Sequence, residues 1–297
     1  MAMFSLQKSQ DLNPVRTWQR RLERQRSNAV TTAQTFTFDL PKDHFVHEIH
    51  ITVYETTDSD DKEARLAANL ADDLLTIKVV GNGNKVLKDG NASMFKQVMK
   101  INKRKPSTGF YTLFFSDPKI GEAKPLPAWI FTSLSLILTD NAPAANAYHD
   151  IEVVVTESAY EQQDLTGWRV LVEKYLTHKT YGTNTGEQNY EHERAYKVYT
   201  YLYEMDDNDT DSATVFDLIK LLGRKPEGEL TVIDVPVGLL KQENDSEIGI
   251  DTLSTGFFFI EWVRGFPAHE FASLYSKPHI KDAGTNIGLR VFERYVL

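Results

Sequence analysis

The sequence predicts an all-β protein with a few short helices, built as two tandem antiparallel β-sandwiches behind a helical N-terminal arm. Three observations predict it. Alternating strand patterns of five to eight residues, separated by turn residues, fill most of the chain. Several short sequences recur in the same order in the two halves. The length of 297 residues is about twice a typical domain of roughly 150. A content of 41% hydrophobic and 25% charged residues supplies enough apolar surface for two cores and excludes a disordered tail.

The N-terminal segment comes first. Up to Asn28 there are six basic residues (Lys8, Arg16, Arg20, Arg21, Arg24, Arg26) against Asp11 and Glu23, a net +4 in a chain of net −9, which leaves −13 for the remainder. Asn13-Pro14 is a helix start, with Asn as the cap and Pro at the first helical position. At about 100° per residue Val15, Trp18 and Leu22 form one stripe, and Arg16, Arg20 and Arg24 lie opposite. The arm, residues 1–29, is therefore expected as an amphipathic basic helix. Its stripe either packs on the parent domain or meets anionic lipid, a protein neighbour or packaged nucleic acid.

The body is written twice. Glu48-Ile-His-Ile-Thr-Val-Tyr-Glu55, followed by the acidic turn Asp58-Ser-Asp-Asp61, is echoed by Lys197-Val-Tyr-Thr-Tyr-Leu-Tyr-Glu204 and the turn Asp206–Asp211. Met94-Phe-Lys-Gln97 recurs as Leu239-Leu-Lys-Gln242, and Ser107-Thr-Gly-Phe110 recurs unchanged as Ser254-Thr-Gly-Phe257. Each of the latter opens an aromatic strand, Phe110–Phe115 and Phe257–Val263, whose side chains belong in a sandwich core. Trp18 and Trp168 precede the two halves. Strands are expected over Gln34–Leu40, Val46–Tyr54, Leu75–Val80, Phe110–Phe115, Trp129–Leu138 and Ile151–Thr156. Helices are expected over Ala64–Asp72, Met94–Lys100 and Trp168–Leu176. The resulting division is an arm over 1–29, a sandwich over 30–160, a helical linker over 161–180 and a second sandwich over 181–297.

Candidate chemistry is sparse. The absence of cysteine excludes disulfides, thiol nucleophiles and Cys-ligated zinc, and suits a reducing compartment. The acidic body argues against general nucleic-acid binding. No secretory signal core or roughly 20-residue apolar span is present, so a soluble product of the cell interior is expected. His44, His47 and His50 invite comparison with tandem cupin metal sites, but strand alternation puts His47 on the face opposite the other two, and the second half has no matching histidines. Asp207, Asp209 and Asp211 begin like a calcium loop that lacks the glycine and glutamate of the twelve-residue pattern, so structural calcium is the one ion considered. There is no phosphate loop, nucleophile elbow or paired carboxylate. No catalytic residue or cofactor is expected.

Two sandwiches of similar length, a short helical connection around Trp168, the paired Ser-Thr-Gly-Phe strands and a basic arm together resemble the double jelly-roll major capsid proteins of tailless, lipid-containing viruses, closest to the compact corticovirus-like type. The resemblance covers essentially the whole chain, with Gly265–Asn286 long enough for an elaborated loop. It implies a structural protein and not an enzyme: a homotrimer whose six similar blocks tile an icosahedral capsid, assembled in the host cytoplasm alongside penton and minor capsid proteins. It also implies an internal membrane beneath the shell and no specific nucleic-acid partner. On this resemblance Arg16, Trp18, Arg20, Arg21, Arg24 and Arg26 face lipid or a neighbouring capsomer, and the arm is dispensable for folding. Two other classes stay open. One is a glycan-binding or spike module with exposed platforms at Tyr181, Tyr190 or Tyr201; the other is a bicupin-like metalloenzyme.

Overall fold

The computed structural model describes residues 17–27, 32–56, 75–107, 109–117, 119–120, 123–141, 148–159, 168–180, 185–206, 210–249, 253–281 and 288–296. Its first half contains β1 (Thr17–Arg21), β2 (Gln25–Arg26), β3 (Gln34–Asp39), β4 (Phe45–Thr56), β5 (Leu75–Gly81), β6 (Lys85–Asn91), α1 (Ala92–Ile101), β7 (Phe110–Phe114), β8 (Ala123–Lys124), β9 (Leu126–Pro127), β10 (Leu134–Asp140) and β11 (Tyr148–Ser158). One sheet has the order β1-β11-β4-β7 and the other β6-β5-β10-β3. Most neighbours are distant in sequence, which is how a jelly roll wraps its chain. The strands alternate as a one-sided sheet must: β10 buries Leu134, Leu136 and Leu138, and β3 buries Phe36 and Phe38 between exposed threonines.

The second half repeats this plan with β12 (Arg169–Thr180), β13 (Gly186–Glu187), β14 (Tyr190–Glu191), β15 (Lys197–Met205), α2 (Ser212–Val215), β16 (Phe216–Lys225), β17 (Gly228–Pro236), α3 (Val237–Ile248), β18 (Phe257–Phe266), β19 (Ser273–Ile280) and β20 (Gly288–Val296). Its sheets are β12-β20-β15-β18 and β17-β16-β19, the latter edged by β13 and β14. A short parallel pairing of β6 with β12, Lys88 opposite Glu173 and Asp89 opposite Lys174, joins the two rolls into one continuous sheet. Among the described residues no helix is long and apolar enough to cross a membrane.

The duplication extends to irregularities. A bulge at His47 in β4 is matched by one at Tyr199 in β15, and a bulge at Leu87 in β6, opposite Val79 and Val80, by one at Val232 in β17, opposite Leu221 and Leu222. Both Ser-Thr-Gly-Phe turns close the same way, with Phe110 N–H donating to Ser107 O at 3.1 Å and Phe257 N–H to Ser254 O at 3.0 Å. One repeat escaped the sequence analysis. Pro127-Ala-x-x-Phe131-x-Ser-Leu134 recurs as Pro267-Ala-x-x-Phe271-x-Ser-Leu274, and each forms a single 3-10 turn before a strand. The phenyl rings close over Gly81 and Gly223 respectively.

Several expectations are corrected. Thr17–Arg21 is strand, not helix, because the edge of β11 offers five residue pairs and the side chains alternate with period two. So short a basic run is compatible with either period. Arg169–Thr180 is likewise a strand in place of a helical linker; Leu171, Val172 and Glu173 are all buried, and such two-sided burial removes the alternation that marks a strand. Trp129 belongs to the turn at Ala128–Ile130, so the strand starts at Leu134. Gly265–Asn286 is no free loop, since β19 occupies its middle. The repeated Tyr-Glu pairs are out of step: Thr52, not Glu55, is the counterpart of Glu204, as both stand opposite the first residue of the aromatic strand. Trp18, opposite Glu157, matches Val172 and not Trp168. The Ala64–Asp72 helix and the Asp58–Asp61 turn lie outside the described residues.

Candidate assembly interface

The two rolls meet on a buried ionic cluster. Lys88 on β6 donates to Glu173 on β12 at 2.9 Å and to the carbonyls of Phe114 and Leu171 at 2.6 and 3.1 Å. Glu173 also accepts from Arg294 Nε on β20 at 2.8 Å, and Arg294 donates on to Asp117 at 2.6 Å. All four side chains are fully buried, and their charges cancel. Burial pushes the Lys88 ammonium down to about 8, against the opposing pull of Glu173. Burial alone would raise Asp117; the charge and hydrogen bond of Arg294 outweigh it and hold the carboxyl below its usual range.

Helix α1 fills the space beside this cluster. Asn91 caps it by accepting from Met94 N–H, and it ends at Asn102 with Lys103 in the left-handed region. Its inner face joins the first core, and its outer face is covered by the second roll. Phe95 meets Phe292 edge-on at 5.7 Å, Ser93 donates to Glu204 at 2.9 Å, and Gln97 donates to Ser254 at 3.0 Å. Tyr175 donates to Glu204 at 2.6 Å. Burial raises Glu204 above the carboxylate range despite the hydrogen bonds it accepts from Tyr175 and Ser93. Leu202, Phe257, Phe259 and Phe292 of the second roll complete the first core.

The basic N-terminal residues lie against the sheet. Trp18 Nε1 donates to Glu157 at 3.2 Å, Arg20 Nε to the same buried carboxylate at 2.8 Å, and Arg21 to Glu152 at 2.8 Å with 61% of its side chain exposed. Arg24 and Arg26 stack over Tyr54 and Tyr148, and Arg26 also pairs with Asp150 at 3.5 Å. Arg16 lies outside the described residues. Among the described residues, Asp43, His44 and Glu157 form the one grouping with metal-ligand atoms close enough to share an ion. The Arg20 guanidinium already contacts Asp43, at 3.3 Å, as well as Glu157, and so supplies the positive charge there.

The remaining candidates are accounted for by hydrogen bonding and burial. The bulge at His47 turns it to the same face as His50, contrary to simple alternation. His47 bonds Ser116 and Ser158, and His50 bonds Thr112 and Thr156, in each case through both ring nitrogens. Burial lowers both histidines below their ordinary value. Asp211 caps α2 and pairs with Lys241 at 2.5 Å; Asp207 and Asp209 lie outside the described residues. Tyr190 and Tyr201 are fully buried, which corrects their assignment as exposed glycan platforms, and Tyr181 is outside the described residues. The junction residues Lys88, Asp117, Glu173 and Arg294 were not singled out in the sequence, where they look like ordinary surface charges. A lysine inside the strand run Lys85–Asn91 was the available signal.

No protein-family model matches the chain, and no curated protein matches it. Solved structures do. The major capsid protein of Sulfolobus turreted icosahedral virus superposes with a TM-score of 0.68 at 11% identity, over 95% of this chain and 97% of that one. The major capsid protein P2 of bacteriophage PM2 gives 0.62 at 12% identity, over 95% and 98%. The PBCV-1 virus capsid model gives 0.60 at 10%, over 95% and 94%. The fold is the double jelly roll. In this chain strands of both rolls share one sheet at β6 and β12, and the high coverage of both chains leaves little room for large loop insertions in either.

Proposed function

We propose that the chain is a major capsid protein, three copies of which form a pseudo-hexagonal capsomer of an icosahedral virion. The observation that carries this is a double jelly roll shared, almost end to end, with three viral capsid proteins. Two similar rolls per chain give six similar blocks around a threefold axis, so one protein can tile a surface. The buried polar groups between the rolls serve packing, and the hydrogen-bonded series Ser276–His192–Glu293, at 2.6 and 2.8 Å, is buried inside the second roll.

The finer parts of the proposal are these. The chain folds and assembles in the host cytoplasm and ends in the virion shell, beside penton and minor capsid proteins and over an internal membrane. The duplication divides the described chain into a first roll from β1 to β11 and a second from β12 to β20. The segment bearing Arg16, Trp18, Arg20, Arg21, Arg24 and Arg26 faces a neighbouring subunit or capsomer. The supporting feature is that β1 ends its sheet among the described residues and presents the exposed Arg21 there. Light scattering with negative-stain imaging tests the proposal. A particle of three times the 33.9 kDa chain with a hexagonal outline is expected; a monomer at every concentration and salt condition overturns it.

A further inference from the structure

The two rolls differ in what covers one edge. In the first roll the edge strand β6 is sealed by β12, and α1 is buried on both faces. Among the described residues the equivalent edge strand β17 of the second roll ends its sheet, and α3 buries only Val237, Leu240, Asn244 and Ile248. Leu239 on α3 is 47% exposed, beside exposed Gln242, Glu243, Ser246 and Glu247. A cleft of about 320 Å³ opens between β17, α3 and β18. In the first roll β1, the counterpart of β12, also ends its sheet among the described residues. One chain thus carries an uncovered socket and an unused copy of the element that fills it.

Register makes the match specific. Lys88 stands opposite Val79, and Ile233 opposite Leu221, at the same duplicated bulge, so Ile233 and Asp234 occupy the places of Lys88 and Asp89. Trp18 and Val172 both lie at the end of the duplicated bulge on the partner sheet, so Gln19 and Arg20 occupy the places of Glu173 and Lys174. We propose that β1 of one copy pairs in parallel with β17 of the next, Gln19 opposite Ile233 and Arg20 opposite Asp234. In the same contact α3 packs on the outer face of the neighbour's β1-β11-β4-β7 sheet. The inference rests on the three-copy capsomer and names the surface that builds it.

Charge and the repeated motifs agree with this pairing. The in-chain register sets Asp89 opposite Lys174, although Asp89 pairs with Lys78 and Lys174 with Glu193, and the inter-copy register likewise sets Asp234 opposite Arg20. The exposed side of α3 is acidic through Glu243 and Glu247, and the receiving face carries Arg21, Arg24 and Arg104 against Glu48 and Glu152. Within the chain Gln97 of α1 bonds Ser254 of the second Ser-Thr-Gly-Phe turn. Their counterparts Gln242 and Ser107 are both exposed, and the same contact is made between copies. Each half of the pair has been kept in both rolls although only one pair meets within a chain.

The absence of native cysteine makes cross-linking of the full chain clean. Gln19→Cys with Ile233→Cys is oxidised to test the strand register, and Gln242→Cys with Ser107→Cys is treated with a short bismaleimide to test the helix contact. Both double variants are expected to give covalent two- and three-chain species on denaturing gels, and every single variant only monomers. Trimers by light scattering that yield no cross-link in either pair overturn this interface and leave the capsomer standing. Monomers by light scattering overturn both.

Discussion

Lys88 and Glu173, from different jelly rolls, form a fully buried ion pair 2.9 Å apart. The pair is held at a position where two sheets become one. Removing one partner leaves an uncompensated charge out of reach of water, whereas removing both restores neutrality around Arg294 and Asp117. Lys88→Met is therefore expected to cost about 3 kcal/mol, and adding Glu173→Leu is expected to cost less than the sum of the two single changes. A coupling of about 1–3 kcal/mol in a denaturant double-mutant cycle is the expected result; additive effects contradict it.

The Phe131 ring lies 2.4 Å from where a Cβ on Gly81 would stand, and Phe271 lies 2.2 Å from the corresponding point on Gly223. Gly81→Ala and Gly223→Ala should each destabilise by about 1–3 kcal/mol through overpacking. Combining either with Phe→Leu at the facing ring should recover part of the loss. Thermal unfolding of the four variants reads this, and an unchanged midpoint for the glycine variants would falsify the close approach.

His149 sits 2.5 Å from Asp140. Burial would lower this imidazole, but the hydrogen bond and charge of Asp140 outweigh it and raise the folded-state value above the ordinary 6.5. The stabilisation is then complete below the unfolded value and lost as pH rises through the folded one. His149→Gln should weaken the protein more at about pH 6 than at about pH 9. Urea midpoints of the two proteins should converge with rising pH; a constant or widening gap contradicts the assignment.

Removal of residues 1–26 takes away β1 and β2 and bares the edge of β11 along with Glu157, which is buried. An arm dispensable for folding, as the sequence suggests, would leave the protein intact. The structure predicts instead a large loss of stability or insoluble protein. A truncated chain with a wild-type melting temperature would restore the dispensable arm.

The duplication and its strands were legible because turns and aromatic runs repeat locally: Ser107–Phe110 and Ser254–Phe257 are identical and structurally equivalent. Register was harder to read. Insertions between elements change the spacing, so a chance Tyr-Glu match displaced Glu55 by three positions from the true counterpart of Glu204. Elements that depend on distant partners were misassigned. Trp18–Arg21 needs the edge of β11 to be a strand, and Leu171–Glu173 is covered on both sides by sequence far away. The charged junction was hidden for the same reason, since nothing local marks Arg294 as buried.

The strand shared by the rolls also bears on inheritance. β12 serves its own sheet and the edge of the other, so a cut anywhere between the halves would strip Lys88 of Glu173 and expose α1 to water. The duplicated halves can no longer be shuffled or lost singly; mutation and selection act on them as a pair. An isoleucine at 233 stands in the register that Lys88 holds on the sealed edge, so the two edges ask different chemistry of whatever covers them.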